Sequence, residues 1–311
     1  MIPEILGVGE VCIDYTSVVD YFPEADEKLD ACSQACFSGG VTANYCVATA
    51  RLGAKTSFFG AVGDDDFGEY LIKEFQKENV DTSYLVKKKG KDTAVNFIVV
   101  NKQNGEKFII QSPCMRSTAP EQVDFNDTIL EGVKLVHSTA IYPELTRHIF
   151  QQAQNLGILT SLDLEKQIAI WGINKLKPIL DHVDILLPNK AGAMQLTNTK
   201  TPLEAAQVFL DWGIELVVIT LGEKGAVAFT PKESIKVPAF KVPVIDTTGA
   251  GDTFCGAFTY TYGIKKWSIK RALQFSIAAA SLKIQHLGAR SGMPTFQQVE
   301  AFLNGNNACL D

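Results

Sequence analysis

The sequence predicts an α/β protein: a doubly wound, mostly parallel sheet flanked by helices, with a small β-rich lid. Three observations predict it. Short apolar, β-branched runs alternate with helix-patterned runs along most of the 311 residues, the rhythm of βαβ units. Gly53, Gly157 and Gly213 each close a helical run, where a C-terminal stop is expected. Two stretches break the rhythm with consecutive strand patterns and no helix between them.

In chain order, "ILGVGE" reads as the first body strand. "VCIDYTSVVDYF" and "KLDACSQACFSGG" follow as extended strands of the first exceptional stretch. "TANYCVATARLG" is helical, "TSFFGAVG" a strand and "FGEYLIKEFQKENV" an amphipathic helix. "TAVNFIVVNKQNGEKFIIQS" is a β-hairpin turned at Asn104-Gly105, a dipeptide suited to tight hairpin turns. The body then resumes with "KLVHSTA", the helix "LTRHIFQQAQNLG", and the strands "GILTSLDL" and "VDILLPN". The helix "PLEAAQVFLDWG", the strand "ELVVITLG" and the helix "SIKRALQFSIAAASLKI" complete it. With no internal repeat or low-complexity linker, residues 1–311 read as one domain whose lid comes from about residues 10–38 and 92–116.

Composition narrows the function. A net charge of −6 gives no electrostatic reason to expect nucleic acid or an anionic membrane as partner. The one basic run, Lys87 to Lys91, is interrupted by Gly90 and reads as a solvated turn. Seven cysteines are scattered without C-x-x-C or zinc spacing, and no basic-then-apolar leader opens the chain. Reduced thiols in a cytoplasmic protein are expected. No apolar run is long enough to span a bilayer.

Two segments carry chemistry. In "DTTGAGDTFCGAF", Asp246 to Phe258, small residues open a helix-like run with Asp252 at the join. On one reading Gly249, Ala250, Gly251 and Asp252 present N–H groups to an anion such as phosphate. On the other, the glycines serve a tight turn and Asp252 caps the helix. In "FSGGVTANYC", Asn44 is an unfavourable helix-interior residue, aimed either at a ligand or at water, and Thr42 is either a cap or a ligand group. The "GDDDFG" run reads as a helix cap. The chain lacks a P-loop, protein-kinase elements and a complete G-x-G-x-x-G, where Cys12 replaces the third glycine. Its four histidines form neither a metal motif nor a triad order.

"DTTGAGDTFCGAF" resembles the C-terminal signature of the pfkB (ribokinase-like) carbohydrate kinases, and "GGVTANYCVATARLGAKTSFFGAVGDDDFG" resembles their N-terminal signature. "GEVCIDY", "VVITLGEKGAV" and "HLGARSGMP" extend the likeness over nearly the whole chain. The resemblance implies a ribokinase-like fold. It makes Asp252 the catalytic base, acting on a sugar hydroxyl, with Gly249, Ala250, Gly251 and Asp252 as anion hole. It assigns Asp14, Gly39, Gly40 and Asn44 to the sugar, and Asn189, Thr220, Gly222 and Gly225 to ATP, with "QFSIAAAS" along the adenine. Mg²⁺ would arrive with ATP, and a monovalent cation such as K⁺ would lie near Asp246, Thr248 and Gly288.

Two departures stand out. The family's N-x-x-E after "DILLPN" keeps Asn189 but has Gly192 for the acid, so metal handling is expected to rest on waters or another acid. Where some ribokinase-type members carry a sugar-binding Glu, this chain has Ser138 and Thr139. The pattern around "VVDYFPEADEKLDA" and "SLDLEK" is similar to ketohexokinase and fructokinase-like members. There Arg116 is either a contact from the lid or a surface residue. The resemblance thus implies an ATP-dependent kinase for a primary hydroxyl of a ketose such as fructose, or of a ribose-like sugar. Kinases for a nucleoside, an inositol or a sugar acid, and a non-catalytic sugar- or nucleotide-binding regulator, are the alternatives. The lid strands could pair in a homodimer.

Overall fold

The computed structural model describes residues 2–103 and 105–306. Its central sheet has eight strands. In spatial order they are Ser234–Val237, Ala226–Phe229, Leu216–Thr220, Ile185–Pro188, Leu159–Leu164, Leu135–Ser138, Ile5–Val8 and Thr56–Phe59. All neighbouring pairs from Leu216–Thr220 to Thr56–Phe59 are parallel, and the two strands at the other edge are antiparallel.

Apolar residues along one strand serve opposite faces because successive side chains alternate. Ile185 and Leu187 enter one core with Phe58, Phe258 and Phe275, while Leu186 enters the other with Phe150, Leu176 and Phe209. Both faces are therefore covered by helices, as a buried parallel sheet requires. The three expected helix stops hold: Gly53, Gly157 and Gly213 have φ of 99°, 69° and 95°. Not anticipated from sequence were the helices Ile173–Leu180, Lys190–Thr197 and Phe296–Gly305. "TSFFGAVG" breaks at Gly60 into two strands, the second of which, Ala61–Gly63, pairs with Val86–Lys88. Lys87 and Lys88 therefore lie in a strand rather than in a solvated turn, and Lys88 meets Asp124 at 2.6 Å.

The lid is a separate four-stranded sheet ordered Ser33–Gly39, Cys12–Val19, Val95–Asn101, Lys107–Ile110. The last two strands form the expected hairpin, although Asn104 of its turn lies outside the described residues. Register places Asp14 beside Asn96 on one face and Tyr15 beside Phe97 on the other. Phe97 in turn faces Ile110, so Tyr15, Phe97 and Ile110 form a cross-strand row, 36%, 52% and 59% exposed. Among the described residues, no helix is long and apolar enough to cross a membrane.

Candidate active site

The site forms where the helix Ala250–Phe258, the helix Val41–Arg51 and the lid strand Cys12–Val19 converge. Gly249 is the N-cap of the first helix, at φ 79°, and a Cβ there would sit 2.2 Å from the Ala289 carbonyl oxygen. Only glycine allows that approach. The Ala250 N–H donates to the Thr247 carbonyl at 3.1 Å, while the N–H groups of Gly249, Gly251 and Asp252 have no acceptor among the described residues. A Cβ on Gly251 would meet nothing within 4 Å, so the cradle is open where a phosphate would sit. Of the four residues expected to form an anion hole, Ala250 thus spends its donor on the turn.

Asp252 is buried and makes no capping bond to its own helix, which excludes the cap reading. Its Oδ2 instead accepts from Asn44 Nδ2 at 2.8 Å, and Asn44 Oδ1 accepts from Arg290 Nε at 2.9 Å. Asn44 is therefore neither water-facing nor free, but orients the carboxylate. Burial pushes the Asp252 pKa up to about 7, helped by the Glu165 and Glu10 carboxylates and opposed by the Asn44 bond and the Arg290 charge. Asp163, near the end of the strand Leu159–Leu164, and Glu165 just beyond it are also pushed up, first by burial and then by nearby carboxylates.

The lid supplies a second carboxylate. Asp14 Oδ1 accepts from Asn96 Nδ2 at 3.0 Å, and a Cβ on Gly39 would lie 2.1 Å from Asp14 Oδ2. Gly39 is thus the space the carboxylate occupies. Gly40 is the N-cap of the helix carrying Asn44. Glu10 accepts from the Val41 N–H at 2.7 Å, Thr42 Oγ1 at 3.2 Å and Thr139 Oγ1 at 3.1 Å. Thr42 is accordingly neither a cap nor open to a ligand, and Thr139 stands beside a carboxylate delivered by the connection between Ile5–Val8 and Cys12–Val19. The cap expected in "GDDDFG" is supplied by Asp65, which accepts from Gly68 N–H at 2.8 Å.

Of the residues expected to hold the nucleotide, Asn189 bridges to Thr220 at the ends of adjacent strands and caps the helix Lys190–Thr197 by accepting from Gly192 N–H at 2.7 Å. Gly222 and Gly225 close a tight loop beyond Thr220, with Gly225 N–H donating to the Gly222 carbonyl at 3.0 Å. Gly192 has a packing reason: a Cβ there would lie 2.3 Å from the Leu164 carbonyl oxygen. An acid at that position would displace the segment that carries Glu165.

Arg116 is not brought into this group. It is exposed on the short helix Cys114–Ser117, beyond the hairpin, and the lid's inward cation is Lys107, whose Nζ donates to Thr248 Oγ1 at 3.0 Å. Sequence reading missed Lys107, Arg290, Glu10 and Glu165. Three of these lie in stretches quoted for the resemblance ("GEVCIDY", "SLDLEK", "HLGARSGMP"), which were the available signal.

Residues 3–296 match the pfkB family of carbohydrate kinases. The chain belongs to that family. This kinase is 29% identical over 306 residues to a ribokinase of Staphylococcus aureus, covering 96% of this chain and 99% of the relative. It is 27% identical over 312 residues to an ATP-dependent 6-phosphofructokinase of Thermoanaerobacterium thermosaccharolyticum, covering 96% and 93%. Its fold is that of Arabidopsis thaliana ribokinase complexed with ribose and ATP, with a TM-score of 0.85 and 26% identity over 97% of this chain and 99% of the other. The sheet, the helical layers and the sugar-kinase class thus agree with the sequence reading. Relatives at nearly equal distance carry different substrate names, so overall similarity does not select the acceptor.

Proposed function

We propose that this sugar kinase transfers the γ-phosphate of ATP to a primary hydroxyl of a small sugar, a ketose such as fructose or a ribose-like sugar. Asp252 is the general base. The observation that carries the reading is one buried carboxylate, oriented by Asn44, at the mouth of a cradle whose Gly249, Gly251 and Asp252 N–H groups have no acceptor among the described residues.

Asp14 and Asn96 on the lid's inner face, with Gly39 and Gly40 beside them, take sugar hydroxyls through paired donors and acceptors. The hydroxyl to be phosphorylated lies against the unbonded Oδ1 of Asp252, which accepts its proton as the oxygen attacks phosphorus. Developing charge on the phosphate is met by the N–H groups of Gly251 and Asp252 and by the helix dipole behind them. Lys107 brings a positive charge from the lid to the rim of the cradle at Thr248. Asn189, Thr220, Gly222 and Gly225 hold the nucleotide beyond the ends of the strands. Mg²⁺ would enter on the phosphates of ATP. When bound, that ion would neutralise phosphate charge, and Glu165, whose charge raises the Asp252 pKa, is a second acid within electrostatic reach of the base.

Lid closure on the sugar would exclude water from the reacting phosphate. We take the protein to be cytoplasmic, a reading supported by free thiols at all the described cysteines. A panel of ketoses, aldoses, nucleosides, inositols and sugar acids, scored by ADP release with Mg²⁺-ATP, tests the assignment. Preference for a nucleoside, an inositol or a sugar acid would replace the acceptor, and binding without turnover of any of them would replace the enzyme by a regulator.

A further inference from the structure

The helix Ile269–Lys283 ends on a lysine whose side chain turns back into the protein. Lys283 is 0% exposed, yet among the described residues it faces no carboxylate oxygen at bonding distance. Its Nζ donates to two main-chain carbonyls, those of Asp246 at 3.0 Å and His286 at 3.3 Å. These belong to the two segments that build the phosphate cradle. The first, residues 246–249, leads into the catalytic helix, and the second includes Ala289, on whose carbonyl Gly249 packs. The Asp246 carboxylate joins the same segments: Oδ1 accepts from the Thr248 N–H and hydroxyl at 2.9 and 2.7 Å, and Oδ2 accepts from the Gly288 N–H at 2.8 Å.

A K⁺ ion near Asp246, Thr248 and Gly288 does not fit this arrangement. The group Gly288 turns toward Asp246 is an N–H, which cannot ligate a cation. The Asp246 carboxylate is occupied on both oxygens, and its carbonyl already faces a positive charge. Carbonyl oxygens are the ligands a monovalent cation takes, and an alkylammonium offers the same charge with directed donors.

We propose that the Lys283 ammonium is a built-in monovalent cation that ties the 246–249 and 286–289 segments together beneath the phosphate cradle and makes this kinase independent of K⁺. Its charge is bonded to the chain, so it is present whatever the salt. It neutralises Asp246 and adds positive potential behind the N–H groups that meet the transferred phosphate. The activity side of this inference rests on the phosphoryl-transfer reading above, and the binding side does not.

The test measures two things for wild type, Lys283→Met and Lys283→Ala, in KCl and in choline chloride at equal ionic strength: initial rates of ADP formation with Mg²⁺-ATP and the best sugar, and melting temperature without substrates. Wild-type rate and melting temperature are expected to be the same in both salts. Lys283→Met, which leaves two buried carbonyls without a donor, is expected to lose about tenfold or more in rate. Lys283→Ala opens a carbonyl-lined space, so K⁺ restores rate and raises melting temperature by about 2 °C relative to choline. Activation of the wild type by K⁺, or a Lys283→Ala protein indifferent to K⁺ in both readouts, overturns the proposal. Should Lys283→Ala fail to fold, the wild-type salt comparison and Lys283→Met decide, and unchanged Lys283→Met activity also overturns it. If no sugar is phosphorylated, the kinase assignment fails while the melting comparison still judges the cation.

Discussion

Replacing Asp252 by asparagine separates two consequences of burying that carboxylate. Asparagine has nearly the same shape and can keep its oxygen toward Asn44 Nδ2, but it cannot accept a proton. Loss of a general base is expected to slow phosphoryl transfer by about 10²–10⁴-fold. Stability should move the other way. The folded pKa is raised from 3.8 to about 7, mainly by burial, and each pKa unit corresponds to about 1.4 kcal/mol, so ionised Asp252 costs the fold about 4 kcal/mol. The sign follows from proton binding. Between these two values the folded protein holds a proton that the unfolded chain has released, so wild-type stability is full below pH 3.8 and declines as pH rises to about 7. The Asp252→Asn substitution removes that decline. The variant's advantage should be near zero at pH 4 and reach about 4 kcal/mol above pH 7, or roughly 5 °C in melting temperature for a chain of this size. Melting curves of both proteins at half-unit pH steps, with a parallel ADP-release assay, give both numbers. Activity within tenfold of wild type, or a stability gain that does not vary with pH, would refute the assignment of Asp252 as a buried base.

Three other perturbations test neighbouring parts of the site. Arg290→Gln removes a charge that lowers the Asp252 pKa, so the acid limb of the kcat/KM profile should rise by about half a unit to one unit, with activity recovering at alkaline pH. A loss of equal size at every pH would mean that Arg290 only holds loops together. Gly192→Ala drives a Cβ into the Leu164 carbonyl and should cost about 2 kcal/mol in urea unfolding; an unchanged midpoint would mean the Glu165 segment moves aside freely. The apolar row Tyr15, Phe97, Ile110 on the lid's outer face suits a second copy of the chain, so Phe97→Asp with Ile110→Asp should shift sedimentation from dimer to monomer. A wild type that sediments as a monomer at micromolar concentration would exclude this pairing.

What could be read from sequence was local. The anion cradle and Asp252 lie within one short segment, so their adjacency is a matter of chain order. Asp14 and Gly39 lie on consecutive lid strands whose alternation is visible as a pattern. The groups that tune the base come from far along the chain. Arg290 reaches Asn44 across 246 positions and Asn44 reaches Asp252 across 208, and no periodicity encodes such a meeting. Lys283 sits in a run that reads only as helix, because a lysine in the last turn ordinarily faces water or the helix dipole. Sequence offers Arg116, after the hairpin, as either a contact from the lid or a surface residue, and gives no sign of the lid's cation. It lies at Lys107 because the returning strand begins there, over Thr248, whereas Arg116 follows once the chain has left the lid. Gly192 looked like a missing acid until packing against Leu164 gave it a reason of its own.

The register that sets Asp14 beside Asn96 has a wider consequence. Both groups belong to a sheet that shares no strand with the body, while Asp252 and the helix that carries it belong to the body. On the function proposed above, the lid groups that hold the acceptor and the group that deprotonates it lie on different pieces of chain. Substitutions within residues 12–39 and 95–101 are then expected to change the preferred sugar while Asp252 and its cradle stay as they are.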